Sequence, residues 1–217
     1  FAKAKKICLP KDYLAYKLTG VFSSEYSDAA GMLLLDVQNK CWSPEMCEIC
    51  GITVDMLPTL FESYEATGKL KAEYSLPNAI LCAGAGDNAG AAVGTNTLRD
   101  GDCSISLGTS GTIFLPCDEF NTECGTALHN FAHANGKFHL MGCILSAASC
   151  NKWWIRDILD THYCDPAEPD YGKTGVYFLP YLTGERCPHN DVNARGAFIG
   201  LSMNTTREDM SLAVLEG

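Results

Sequence analysis

The chain has 217 residues, 47% apolar and 19% charged, which excludes a disordered polymer and suits one large or two small globular domains. Sixteen basic against 26 acidic residues leave a net charge of -10 without a long basic cluster, which argues against a nucleic-acid partner. Apolar runs such as residues 32–35 and 176–182 fall short of the roughly 20 residues of a membrane span, and no signal peptide opens the chain, so a soluble cytoplasmic protein is expected.

Residues 7–18 read as a helix, with Leu9, Tyr13, Tyr16 and Leu18 toward one side and Gly20 as the C-terminal stop. A short helix over 43–50 has Ser43 as its cap, Pro44 in the first turn, Glu45 at the positive end and Gly51 after it. Residues 79–83 form an apolar strand. It leads into Gly84-Ala85-Gly86-Asp87-Asn88-Ala89-Gly90-Ala91-Ala92-Val93-Gly94, where nearly every side chain is tiny. The polar turn Arg99-Asp100-Gly101-Asp102 marks a change of texture, and the domain division is drawn at 97/98. Strands over 103–107 and 112–115 flank Gly108-Thr109-Ser110-Gly111; a strand over 137–141, a helix over 146–159 and a strand over 177–182 follow. Trp153, Trp154, Ile158 and Leu159 mark the core side of that helix, with Lys152, Arg156 and Asp157 facing solvent. Thr205 and Glu208 are spaced as a capping box for a last helix. The chain starts on Phe1 and stops a few turns into this helix, so an internal piece of a longer protein is expected. Alternating strands and helices argue for an α/β architecture.

The twelve cysteines include Cys82, Cys103 and Cys143 inside apolar stretches. They read as reduced core and boundary residues, not as a disulfide scaffold. Cys47 and Cys50 form a single CxxC. His129 and His133 are spaced HxxxH, with His139 and Cys124 nearby, and would share a zinc ion only on a helix. Gly125, Asn135 and Gly136 bracket a segment short for a helix, and on a strand residues four apart lie about 13 Å apart. Structural histidines are the better account.

Asp87 is a carboxylate that nothing bulky shields. It could act as general base toward a hydroxyl or help hold a metal–phosphate complex; on residue type alone, capping a helix that starts at Asn88 is the better account. Gly108-Thr109-Ser110-Gly111 has the amides and hydroxyls of a phosphate cradle. It is not a Walker A loop, because no Gly-Lys-Ser/Thr follows, and taken alone it is an ordinary hairpin turn. Residues 184–191 form a polar loop whose role residue types do not decide.

Taken in order, GAGDNAGAAVG, SLGTSG and FLPYLTGERCPHNDVNARGAFIGL resemble the FGGY carbohydrate kinases. Gly196, Phe198, Gly200, Leu201, Asp209 and Met210 resemble the family's C-terminal signature, and the resemblance runs over almost the whole chain from LPKDYLAYKLTG. It implies an actin/hexokinase-like (ribonuclease H-like) two-domain α/β kinase closing over a cleft between sugar and ATP. Residues 1–97 would end its N-terminal sugar-binding domain, and 98–217 would begin its C-terminal nucleotide-binding domain.

The same resemblance implies Asp87 as the general base toward the attacking sugar hydroxyl, touching metal only indirectly through Mg-ATP. Asn88 would sit beside it in the sugar site, and Gly108, Thr109, Ser110 and Gly111 would meet the ATP phosphates. The helix near Ser146 would border the nucleotide site. Glycerol kinases usually carry glutamine where this chain has Asn88, which favours a ketopentose. The implied reaction is ATP-dependent phosphorylation of D-xylulose to D-xylulose 5-phosphate. The family's DxGT loop would precede Phe1 and its adenosine-binding segment would follow Gly217, so the piece alone is expected to be inactive. Implied partners are the sugar and ATP with Mg2+, without nucleic acid or membrane, and with a homodimer left open. Rival readings are a kinase of ribulose, gluconate, fuculose or another polyol, a non-catalytic actin-like nucleotide-binding module, and a zinc or redox protein built on His129, His133, Cys47 and Cys50.

Overall fold

Pro10 sets the start of the first helix. The residue before a proline is pushed into extended backbone, so α1 (Pro10–Thr19) begins later than residue 7. The Asp12 carboxylate accepts the Leu9 N–H at 3.0 Å, and Gly20, in the left-handed region at φ 82°, closes the helix by donating its N–H to the Tyr16 carbonyl. The computed structural model describes residues 3–124, 127–161 and 171–217.

After α1 come β1 (Ser23–Glu25), α2 (Tyr26–Ala29), β2 (Leu35–Asp36), β3 (Cys41–Trp42) and α3 (Pro44–Ile49). Then follow β4 (Thr59–Phe61), β5 (Ala66–Lys69), β6 (Ile80–Cys82) and α4 (Asp87–Gly94). β1 and β4 pair in parallel, with Ser24 opposite Leu60. β2–β3 and β5–β6 are antiparallel pairs. Helix α3 is capped as expected: the Ser43 hydroxyl accepts the Met46 N–H at 3.2 Å.

The later elements are β7 (Ser104–Leu107), β8 (Gly111–Cys117), β9 (His129–Ala132), β10 (Phe138–Ile144), α5 (Ala148–Lys152), β11 (Tyr177–Leu179), β12 (Ala197–Ile199) and α6 (Arg207–Glu216). The four-stranded sheet has the order β7-β8-β10-β9, and β11 pairs antiparallel with β12.

Two helical expectations are corrected. The segment expected as one helix over 146–159 is α-helical only through α5, and Trp153–Ile158 continue as a π-helix, the Leu159 N–H reaching the Trp154 carbonyl at 2.9 Å. The wider turn moves later side chains around the axis. Trp154 and Ile155 are therefore buried, while Ile158 is 50% exposed instead of joining the core face. In α6 the capping box is Thr206 with Asp209, one position beyond the expected pair. Thr206 Oγ1 accepts the Asp209 N–H at 3.1 Å and the Asp209 carboxylate accepts the Thr206 N–H at 2.8 Å. Thr205 is occupied elsewhere: its hydroxyl accepts the Ser202 N–H at 2.9 Å and closes the preceding turn.

The described residues fall into two compact units. The first is drawn from Phe1–Ser104, Phe114–Glu123 and His129–Met141, the second from Ile105–Ile113, Cys124–Leu128 and Gly142–Gly217. The first unit centres on Ala29, Leu35, Trp42, Cys47 and Leu57, with the Trp42 indole N–H on the Pro58 carbonyl at 2.8 Å. The second centres on Cys150, Trp154, Ile155, Val176 and Phe178, with the Trp154 indole N–H on Ser211 Oγ at 2.9 Å.

Cys47, Cys143, Cys150 and Cys187 are buried thiols, as the composition suggested, but Cys41, Cys50, Cys82 and Cys103 are exposed. Cys82 lies on a two-stranded ribbon, which buries little on either face.

Candidate functional site

Strand β6 delivers the chain to Gly84, whose φ of 83° only glycine adopts freely and whose N–H reaches the Ser63 carbonyl at 3.0 Å. Helix α4 then begins on Asp87 itself. Its N-cap is Gly86, so Asp87 is not the cap of a helix starting at Asn88 but stands in the first turn. The Asp87 side chain is exposed, and its Oδ1 accepts the Asn88 backbone N–H at 2.7 Å and the Asn88 amide at 3.0 Å. A carboxylate at a helix N-terminus is electrostatically favoured as the anion.

Asp87 and Asn88 border a cavity of about 120 Å³ within the first unit, shared with Ser27, Asp28, Phe131 and His139. A buried polar frame holds the wall opposite α4. Glu25 is fully buried. Its carboxylate accepts the Ser27 N–H at 2.7 Å, the Asp28 N–H at 2.8 Å and the Ser63 hydroxyl at 2.8 Å. Ser27 Oγ in turn accepts the Gly86 N–H at 3.0 Å, which ties α2 to the approach of α4. Lys11 Nζ lies 3.4 Å from Asp12, 3.6 Å from Glu25 and 3.8 Å from Asp28. One ammonium thus serves three carboxylates. Burial raises the Asp28 carboxyl above its ordinary range. Lys11 opposes the shift, and Glu25, Asp12 and Asp87 add to it.

His139 on β10 sits opposite Phe131 on β9 and stacks on Phe114 with ring centres 4.1 Å apart. His133 meets the same Phe114 edge-on at 5.2 Å. His133 and His139 are 1% and 2% exposed. His129 lies on β9 and His133 just past its end, so the HxxxH pair is not on a helix. Burial, with His133 adding, pushes the His139 imidazole down to about 3. Unfolded histidine titrates near 6.5, so between those values the unfolded chain takes up the proton first and stability is lost as the pH is lowered. Urea unfolding is expected to show a loss of roughly 3 kcal/mol from this residue between pH 7 and pH 4, largely absent in His139→Phe.

In the second unit, Gly108-Thr109-Ser110-Gly111 joins β7 to β8, as expected, with the Gly108 N–H on the Ser110 carbonyl at 3.0 Å. The start of α5 holds this turn through its carbonyls. The Ala148 N–H donates to Gly108 and the Ala147 N–H to Thr109, both at 3.0 Å, and the Ser149 hydroxyl donates to Thr109 at 2.8 Å. Gly108, Thr109 and Ser110 are exposed on a turn whose carbonyls are braced by the start of α5. Gly111 is buried. A Cβ there would stand 3.0 Å from Ile144 Cγ1 and 3.2 Å from Ala147 Cβ. Gly111→Ala is expected to destabilise by about 1–3 kcal/mol, read as a lower thermal-unfolding midpoint. A second cavity, about 390 Å³, lies beside the turn between Leu107, Ser146, Ala147, Asn151 and the 214–217 segment.

The 184–191 loop is held by its own backbone: Glu185 N–H to the Asp191 carbonyl at 2.8 Å and Asn190 N–H to the Arg186 carbonyl at 3.0 Å. The sequence reading missed Ser27, Asp28 and Phe131, and took His139 as a structural histidine in preference to a zinc ligand. Asp28 carried a signal, since Ala29, Ala30 and Gly31 after it repeat the small-residue setting of Asp87.

Comparison with known proteins gives a consistent answer. The model of the N-terminal domain of the FGGY family of carbohydrate kinases matches residues 1–94, and that of the C-terminal domain matches 103–217. A xylulose kinase of Klebsiella pneumoniae is 41% identical over 100% of the chain and 47% of its own length. One from Escherichia coli (strain K12) is 39% identical with the same coverage. Among solved structures, a xyloylose kinase from Brucella ovis superposes with a TM-score of 0.89 at 39% identity, covering 100% of this chain and 47% of its own. A gluconate kinase from Lactobacillus acidophilus also reaches 0.89, at 28% identity, covering 100% of this chain and 46% of its own. The fold is therefore the actin/hexokinase-like one expected. The chain spans about half the length of the curated relatives it matches.

Proposed function

The chain belongs to the FGGY family of carbohydrate kinases, and from that membership we propose that it serves an ATP-dependent kinase converting D-xylulose to D-xylulose 5-phosphate. The observation that carries this reading is Asp87: an exposed carboxylate at the start of α4, on the rim of a cavity with polar walls. Asp87 takes the proton of the 5-hydroxyl as that oxygen bonds to the γ-phosphorus, and the bond from phosphorus to the ADP oxygen breaks. Asn88 bonds the sugar beside it. Gly108, Thr109, Ser110 and Gly111 receive the ATP phosphates, a role supported by the exposure of Gly108, Thr109 and Ser110 and by the two hydroxyls they carry.

Mg2+ accompanying ATP supplies charge neutralisation on the phosphates. Asp87, exposed in the first turn of α4, would meet this ion only indirectly, through Mg-ATP.

Residues 1–97 belong in this reading to the sugar-binding domain and 98–217 to the nucleotide-binding domain, supported by family models that stop at 94 and resume at 103. A cytoplasmic setting is supported by the buried thiols Cys47 and Cys150; among the described residues no helix is long and apolar enough to cross a membrane. Gluconate is the competing substrate, favoured by the gluconate kinase likeness.

The test is ATP consumption by the product of the full reading frame encoding this chain, over D-xylulose, D-ribulose, L-fuculose, gluconate and glycerol. The expected result is the highest kcat/KM with D-xylulose. A higher value with gluconate corrects the substrate, and no turnover with any of them overturns the kinase reading.

A further inference from the structure

Helix α4 carries Asp87 with little local hold on where that residue stands. Its N-cap, Gly86, has no side chain, and the chain approaches it through Gly84 and Ala85. Two glycines in three residues leave this turn many backbone conformations, so the one it adopts is imposed from outside. The buried residues of α4 are Ala89 and Ala92, whose methyl groups make few contacts to lock the helix in place. The tiny side chains that uncover Asp87 therefore also leave it without anchors of its own.

One side chain supplies the hold. Among the described residues, Ser27 is the only side chain outside residues 84–88 that hydrogen-bonds to them: its Oγ accepts the Gly86 N–H at 3.0 Å. A hydroxyl has one proton to give, and Ser27 gives it to the Glu25 carboxylate at 3.0 Å, which turns a lone pair toward Gly86. Glu25 is itself fully buried and fixed by the Ser27 and Asp28 N–H groups and the Ser63 hydroxyl.

We infer that Ser27 is a positioning residue for the general base: the bridge from Glu25 through the Ser27 hydroxyl to the Gly86 N–H sets where α4 starts, and with it where the Asp87 carboxylate stands. The inference rests on the reading of Asp87 as the base. A base takes a proton only from within hydrogen-bond reach, and a displacement of about 1 Å costs about 10²-fold. In Ser27→Ala the Gly86 N–H loses its acceptor and the glycine turn is released. Helix α2 keeps its own cap, because Glu25 still accepts both backbone N–H groups, so the fold around the site survives.

The experiment is a double-mutant cycle in the kinase that carries this chain: wild type, Ser27→Ala, Asp87→Asn and the pair, each checked for folding by circular dichroism. Transfer from 32P-labelled ATP to the sugar of highest kcat/KM measures slow variants as well as fast ones. Ser27→Ala is expected to lower kcat about 10-fold, with the sugar KM within about 2-fold of wild type. With Asp87 already replaced, the same change is expected to cost less than about 2-fold, since a residue that acts through Asp87 then has no base left to place. An equal loss in both backgrounds, a loss in KM alone, or a wild-type kcat overturns the inference and leaves the base reading intact. Asp87→Asn turnover near the wild-type rate overturns the base reading and the inference with it. Where Ser27→Ala does not fold, Ser27→Cys, which puts a weak acceptor in the same place, goes through the same cycle and is read in the same way.

Discussion

Asp87→Asn in the kinase that carries this chain is expected to lower kcat by about 10²–10⁴-fold, with a smaller change in the KM for sugar. Asparagine keeps the size of the side chain and can still accept the Asn88 backbone N–H that Asp87 Oδ1 accepts at 2.7 Å. The helix start is therefore preserved. Only the capacity to take up the hydroxyl proton is lost, because an amide is not a base at any relevant pH. Placing reactants together contributes through both domains and survives the substitution, which is why kcat carries the loss. Steady-state kinetics with D-xylulose checks it. Turnover near the wild-type rate would remove Asp87 from the role, while an equal rise in KM alone would make it a binding residue.

Glu25→Gln is expected to destabilise the protein by about 3–5 kcal/mol, as removal of one partner from a buried ionic cluster does. The carboxylate is fully buried and both of its oxygens accept: Oε2 from the Ser27 N–H and the Ser63 hydroxyl, Oε1 from the Asp28 N–H and the Ser27 hydroxyl. A glutamine in either orientation turns its NH2 group toward donors, leaving bonds unmade, and Lys11 loses an anion 3.6 Å away. Equilibrium urea unfolding measures the effect. The same frame sets Asp28 and, through Ser27, the Gly86 N–H, so a rise in sugar KM is expected along with the loss of stability. An unchanged midpoint would show that water already reaches the cluster.

Much of this architecture was readable residue by residue where the cause was local. Ser43 with Pro44 announced α3, the apolar 79–83 run announced β6, and the glycine turn between two apolar runs announced the β7–β8 hairpin, because caps, turn chemistry and short periodicity act within a few residues. Local chemistry also misled where two neighbours could play the same part. Thr205 and Thr206 are equivalent on paper, and the Ser202 turn decided which of them caps α6.

The candidate site divides along the same line. Asp87 stood out because tiny neighbours leave a carboxylate uncovered, a property written into consecutive positions, whereas Asn88 was implied only by the family resemblance. Asp28 and His139 did not stand out, since neither position says that residues 28, 87 and 139 line one cavity. Composition and order of motifs were enough for the family and the α/β class, and they singled out the acid at position 87 as a candidate. The packing of distant segments alone settled which thiols are buried, where the π-helix turns Ile158 outward, and why an imidazole lies beside Asp87. Those outcomes depend on contacts between residues far apart in the chain, which no local preference encodes.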